Sequence, residues 1–310
     1  MMSSFRSILV DIDAAATAHP ALERAILLAN KSGGTLTVAD VMTVPPHARH
    51  YLPAEIEERL VRDRRQQLAR IAGEVSDVRA EAKLLVGRPA TVLIEEVLRS
   101  NHDLIMRSHA RDLTSPGSRP FGAVDMELLR KCPCPVLLVR HGHPATEPRI
   151  ACAIDASADD PGAQALNAKI IELALVMADY LESGSPTLFH AWTPIAERAV
   201  RSHVLDDQFA TYLEKTRQSA ASTLARIAQS FEGRLDEKQI VLRRGEPDDV
   251  IPEFVVSEGI DVLVMGTVAR GGIPGMLIGN TAERVLRKLP CSVLTVKPDG
   301  FVSPVRLPTA

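Results

Sequence analysis

The chain has 310 residues, 45% of them hydrophobic and 24% charged, with a formal net charge of −3. That length accommodates two domains, and the composition is that of a soluble globular protein rather than a disordered or fibrous one. Neither half carries the basic excess of a nucleic-acid footprint, and the run IIELALVMADYL at 170–181 is too short and too interrupted by charge to span a bilayer, so the expectation is no nucleic acid and no membrane span.

Taken in chain order, the elements alternate. A short apolar strand at 7–12 leads into a helical pattern, AHPALERAILLANKSG, that stops at glycine as a left-handed C-terminal cap would. A second strand, TLTVADVM, precedes a longer charged helix, AEIEERLVRDRRQQLARIAG. A third strand runs into the turn GRPA, followed by a helix and then a fourth strand at DLIM. A loop, the helix AVDMELLRK and a fifth strand, PVLLV, close the series. After the polar joint HGHPATEP the same order returns. The strand at 149–154 is followed by DPGAQALNAKIIELALVMADYLESG, again stopping at glycine, then TLFHAW, a long helix, GEPD, DVLVM, TAERVLRK and SVLTV. Continuous apolar strands separated by amphipathic helices predict a parallel sheet covered on both faces.

Four matched blocks in the same order make this a tandem duplication: ILVDID with IACAIDAS, LLVGRPATVLIEEV with LRRGEPDDVIPEFV, NHDLIMRSHA with GIDVLVMGTVA, and KCPCPVLLVR with KLPCSVLTVK. The predicted domains are 1–143 and 144–310. The four cysteines, Cys132, Cys134, Cys152 and Cys291, each sit in or beside an apolar run and read as small buried hydrophobes of a reducing compartment. Cys132-Pro133-Cys134 is too tightly spaced for a relaxed disulfide, because thiols two apart leave an extended segment in different directions. With no long apolar stretch in MMSSFRSILVDID, the expected location is the cytoplasm.

The ILV-x-x-D start, the G-x-P turn, the D-x-[IVL]-[IVL]-M-G run, the glycine loop and the closing C-P-[CS] strand resemble the universal stress protein family, over nearly the whole chain and twice, as in its tandem subgroup. The resemblance implies two tandem five-stranded α/β domains of the Rossmann-like, adenine-nucleotide-binding type. It also implies fifth strands that pair across a dimer axis in single-copy members, hence an internal pseudo-dimer here, with a further homodimer left open.

In nucleotide-binding members the loop after the fourth strand reads G-x2-G-x9-G-[ST], and its amides together with the last helix surround a triphosphate. Glycines are expected there for close approach or positive φ. In the second repeat Gly266 takes the first place, Ala269 the second, Gly279 the third, and Asn280 with Thr281 the hydroxyl position; Thr267 lies within the loop and Arg270 adds charge. In the first repeat Arg107 is assigned the first place, Ala110 the second, and Gly122 the third followed by Ala123, which argues against binding there. Arg107, Arg111 and Arg119 read as solvated surface arginines, with a site for a different anion as the alternative. Asp13 and Asp155 end the first strands, where the family aspartate lies against adenine and ribose; turn formation is the alternative role. Asp40-Val41 and His190-Ala191 end the second strands, where the family places backbone contacts to adenine, which makes Ala191 a site residue. Asn280 with Glu283 also fits a capping box.

The resulting expectation is a non-catalytic cytoplasmic stress-response protein that binds ATP, accompanied by Mg, through its second domain. Slow hydrolysis stays open, although no Walker A lysine motif, G-x-S-x-G or H-E-x-x-H occurs. The other reading is a tandem ligand-binding or scaffold protein that has lost nucleotide and holds an apolar or nucleotide-sugar-like ligand between its domains, lined by Ile273, Met276, Leu277 and Ile278. No metal site is expected: His141 and His143 fall in the joint, and His47 and His50 beside a proline pair, without a cysteine or carboxylate cluster.

Overall fold

A computed structural model describes residues 5–43, 53–109, 121–140, 147–157, 160–194, 196–231, 233–267 and 278–308. The chain divides into two compact units, Met1–Pro144 with Ser292–Ala310, and Ala145–Cys291.

In the first unit, β1 (Ser7–Asp11), β2 (Thr35–Met42), β3 (Ala80–Val86), β4 (Leu104–His109) and β5 (Val136–Arg140) are parallel in the order β3-β2-β1-β4-β5. The closing strand of the second repeat, β10 (Ser292–Val296), joins this unit and pairs antiparallel with β5, Val293 opposite Leu138. Ile8, Leu9, Val10, Leu104, Ile105 and Met106 are wholly buried at the sheet's centre, each contributing about 1.5–3 kcal/mol over its exposed state. Four helices cover the strands: α1 (Pro20–Ser32), α2 (Ala54–Gly73), α3 (Pro89–Ser100) and α4 (Ala123–Lys131).

In the second unit, β6 (Ile150–Ala153), β7 (Thr187–Trp192), β8 (Ile240–Arg244) and β9 (Val262–Gly266) are parallel in the order β9-β6-β7-β8. Its helices are α5 (Pro161–Tyr180), the short α6 (Glu197–Arg201), α7 (Asp206–Gln229), α8 (Pro247–Ser257) and α9 (Asn280–Leu286). Each repeat therefore supplies five strands, as expected.

The repeats are built by the same local devices, with one exception. Gly87 and Gly245 make the G-x-P turns at φ +147° and +144°, and a Cβ there would stand 2.7 and 2.5 Å from Val92 and Val250 of the helix that follows. Gly33 caps α1 in the left-handed conformation, its N–H bonded to the carbonyls of Ala29 and Asn30. The expected glycine cap fails on α5. That helix ends at Leu181, the positive φ of 51° falls on Glu182, and Gly184 lies two residues beyond. Among the described residues no helix is long and apolar enough to cross a membrane.

Candidate functional site

Ligands on such sheets bind beyond the carboxyl ends of the strands, where strand order reverses. In the second unit that point lies between β6 and β9. β6 runs into Ile154-Asp155-Ala156-Ser157, and α5 fixes this loop from behind. Asn167, buried, accepts the Asp155 N–H at 3.1 Å and donates to the Asp155 carbonyl at 2.7 Å. The Asp155 carboxylate accepts the Ser157 N–H and hydroxyl at 3.1 and 2.7 Å, so the turn-forming role is present in the structure. Beneath it, the buried His190 of β7 places Nδ1 3.3 Å from the Ala156 N–H and 3.1 Å from the Ile154 carbonyl, either of which its tautomer can serve. Ala191, half-buried, pairs with Arg243 in the ladder of β7 with β8.

At the neighbouring strand end, the reasons for two glycines differ from expectation. Neither Gly266 nor Gly279 has a positive φ. Gly266 is small because α5 lies over it: an added Cβ would come within 3.0 Å of Leu166 and 3.3 Å of Ile170. The Gly279 N–H is not offered to a ligand, because it donates to the Thr267 carbonyl at 2.7 Å and closes the base of the loop. Gly279 is also the N-cap of α9, which makes Asn280 its first residue, so the capping box of Asn280 with Glu283 does not form. The Asn280 and Thr281 side chains are exposed. Thr267 itself is wholly buried, and its hydroxyl has no hydrogen-bond partner among the described residues. Ala269, Arg270, Ile273, Met276 and Leu277 lie outside the described residues, as do Ala110, Arg111, Arg119 and the histidines at 47, 50, 141 and 143. Ile278 is buried.

In the first unit the strand register corrects the assignment of Arg107. Asp11 pairs with Arg107 across β1 and β4, and the matching pair across β6 and β9 is Ala153 with Met265. Ser108 thus stands where Gly266 stands, and His109 where Thr267 stands. The Ser108 hydroxyl accepts the Ala21 N–H at 3.0 Å at the start of α1. Arg107 is not a solvated surface arginine either. It reaches Asp11 through Nη1, and Asp125 of α4 through Nε at 2.9 Å, while Asp125 also accepts the Gly122 N–H at 2.9 Å. Burial pushes the Asp11 carboxyl up to about 6 against the pull of Arg107, and burial raises Asp125 as well.

A second arginine spans the other end of the same site. Arg64 of α2 donates to Asp13 at 2.6 Å and also ion-pairs with the buried Asp40, which accepts the Ala14 N–H at 3.3 Å. The Ala15 N–H, and with it Arg64, holds the Asp13 carboxyl below the usual range. Sequence reasoning missed Arg64, although the phrase LARIA recurs at 68–72 and 224–228 with Leu68 and Leu224 both fully buried. Counting back four residues aligns Arg64 with Ala220. The second unit accordingly carries Ala153, Met265, Ala282 and Ala220 where the first carries Asp11, Arg107, Asp125 and Arg64. Two internal guanidinium clamps are present in one repeat and absent, as a set, from the other.

The two α/β repeats and their shared G-x-P turns agree with a family-model match. The universal stress protein family matches residues 4–140 and again 149–297. The chain belongs to the universal stress protein family. Among curated relatives, universal stress protein E of Photorhabdus laumondii is 28% identical over 316 residues, covering 98% of this chain and 99% of the relative. A universal stress protein E homolog of Haemophilus influenzae is 32% identical over 209 residues, 67% of this chain and 66% of that one. The fold is similar to that of a putative universal stress protein from Pseudomonas aeruginosa, with a TM-score of 0.67 at 24% identity over 96% of this chain and 94% of the other. This tandem member of the family therefore carries one repeat clamped by its own arginines and one without those clamps.

Proposed function

We propose that this universal stress protein is a non-catalytic, cytoplasmic binding protein whose second repeat takes up an adenine nucleotide, ATP with Mg2+. The observation that carries the reading is the buried hydroxyl of Thr267, which has no hydrogen-bond partner among the described residues, just ahead of the segment that leads to α9. A wholly buried hydroxyl without a partner costs about 1–3 kcal/mol, and such a group in a native fold calls for a ligand, ion or water to satisfy it. The exposed Asn280 and Thr281 add an amide and a hydroxyl suited to phosphate oxygens, and Asp155 adds a carboxylate at the adjacent strand end. Gly266, Ala269, Arg270 and Gly279 complete the loop in this reading, and Ala191 supplies backbone toward the base. This repeat has Ala220 and Met265 where the first has its two clamping arginines. The antiparallel pairing of β5 with β10 supports an internal pseudo-dimer in which the closing strands of the two repeats pair.

Thr267→Val tests the assignment, because the two roles of the hydroxyl predict different signs. Removal of an unsatisfied buried hydroxyl is expected to stabilise the unliganded protein by about 1 kcal/mol in urea titration. The same change is expected to weaken ATP·Mg binding about tenfold by calorimetry, equivalent to about 1.4 kcal/mol. Native mass spectrometry of the parent protein should show a single nucleotide per chain. An unchanged affinity in the variant, or no bound nucleotide in the parent, would remove the reading.

A further inference from the structure

The first repeat carries a feature that the second lacks and that nucleotide binding does not use. At the junction of α4 and β5 the sequence Cys132-Pro133-Cys134 is extended at Cys132 and bends immediately after it. Cys132 is the C-cap of α4 at φ −69° and ψ 131°, and the backbone bends through Pro133 and Cys134. The bend turns the two side chains toward each other, contrary to the expectation that they diverge, and brings the sulfurs to 3.6 Å. Both thiols are free. Cys132 is buried and Cys134 half-buried. The second repeat has Leu289-Pro290-Cys291 at this place and cannot form such a pair.

The surroundings of the pair are polar in a specific way. Lys297, just beyond β10 and buried, donates to the α4 carbonyls of Leu129 at 2.7 Å and Arg130 at 3.3 Å, with its ammonium 4.7 Å from the Phe301 ring centre. That ammonium also interacts electrostatically with Cys132. Burial lowers Lys297 to about 8 against the opposing pull of Cys132, which leaves it charged at neutral pH. The hydrogen bond to Cys132, followed by burial, holds the Cys134 thiol above its ordinary range, so the pair reacts slowly compared with a low-pKa thiol.

We propose that Cys132 and Cys134 form a reversible dithiol–disulfide site that responds to small hydroperoxides. In the first step the Cys134 sulfur attacks the terminal oxygen of the hydroperoxide. An S–O bond forms, the O–O bond breaks, and the departing oxygen takes the thiol proton and leaves as water or an alcohol. In the second step the Cys132 sulfur attacks the Cys134 sulfur; the S–S bond forms, the S–O bond breaks, and the hydroxyl leaves as water with the second thiol proton. The net change is a two-electron oxidation of the dithiol by one hydroperoxide. Closure draws the α4 cap toward β5 and thereby acts on the helix end that Lys297 holds.

The test uses the full chain. Trypsin cleaves after Lys131 and after Arg140, so both sulfurs fall in the single peptide Cys132–Arg140. After treatment with hydrogen peroxide and blocking with iodoacetamide, this peptide is expected to lose the mass of two hydrogens and to escape alkylation at both cysteines together. Dithiothreitol should restore alkylation. Cys152, buried in β6 with its thiol pushed up to about 12, serves as an internal control that stays reduced. In Cys132→Ser, Cys134 is expected to be trapped by dimedone as sulfenic acid; if that variant does not fold, the peptide measurement on the parent protein decides alone. A peptide that stays fully alkylatable, or one carrying sulfinic or sulfonic acid on Cys134 with Cys132 still free, would overturn the proposal.

Discussion

Arg107→Met, which installs the residue the second repeat carries at the same place, is expected to destabilise the chain by about 3 kcal/mol at neutral pH. The guanidinium faces Asp11, which is buried, and Asp125, nearly so. Its removal leaves two carboxylates near one another without a counter-charge, and a charge stranded in a low-dielectric interior costs more than its pair contributed. The sign of the pH dependence follows from Asp11. Its carboxyl is raised in the folded chain from 3.8 to about 6, so the folded state holds a proton that the unfolded state has released. Such a group contributes stability that is complete below 3.8 and is lost as pH rises through 6. Without Arg107 the carboxyl rises further, and the penalty of the variant should shrink toward pH 5 and grow toward pH 8. Urea unfolding followed by far-UV circular dichroism at several pH values measures both quantities. The triple variant Asp11→Ala, Arg107→Met, Asp125→Ala reproduces the second repeat's Ala153, Met265 and Ala282 and should recover most of the loss. A single variant as stable as the parent at every pH would mean that the arginine compensates nothing.

What the sequence made legible was the scaffold. Strands such as ILVD and VLVMG read correctly because burial on both faces leaves them continuously apolar, and the duplication placed each strand twice. The site was less legible because its geometry depends on partners distant in sequence. Arg107 was matched to Gly266 by position in a motif, whereas the ladder with β1 matches it to Met265. Gly266 resembles a phosphate glycine but answers to Leu166 and Ile170 of α5, a contact that no spacing rule contains. The Gly279 amide looked available until Thr267 was seen to accept it. The capping-box spacing of Asn280 and Glu283 was real, yet the helix starts one residue earlier than that box requires. Arg64 lay in a charged helix where one arginine among several gives no sign of reaching across to Asp13 and Asp40. Comparison of LARIA with its own repeat would have exposed it, since only the first copy spends a charged residue four positions before the buried leucine.

That same comparison yields the sharpest test of where the ligand sits. Ala220→Arg transplants the first repeat's clamp into the second. Leu68 and Leu224 are buried alike, so a residue four before Leu224 starts from the face of α7 that Arg64 occupies on α2. From there a guanidinium is expected to reach Asp155 as Arg64 reaches Asp13, and to bind it with two parallel hydrogen bonds. His190 replaces Asp40, so the new arginine gains one carboxylate rather than two, and stability should change by less than about 1 kcal/mol, as for an exposed pair. Affinity for ATP·Mg, by contrast, is expected to fall at least about tenfold, because the arginine fills the space over Asp155 and occupies its carboxylate. Ala220→Met, uncharged and shorter than arginine, separates bulk on the helix face from the guanidinium: a loss in both variants assigns the effect to filled space, and a loss in the arginine variant alone assigns it to the guanidinium over Asp155. Binding that is unchanged or tighter in Ala220→Arg would place the ligand away from the end of β6, and the clamps of the first repeat would then be stabilising ion pairs with no bearing on which repeat binds.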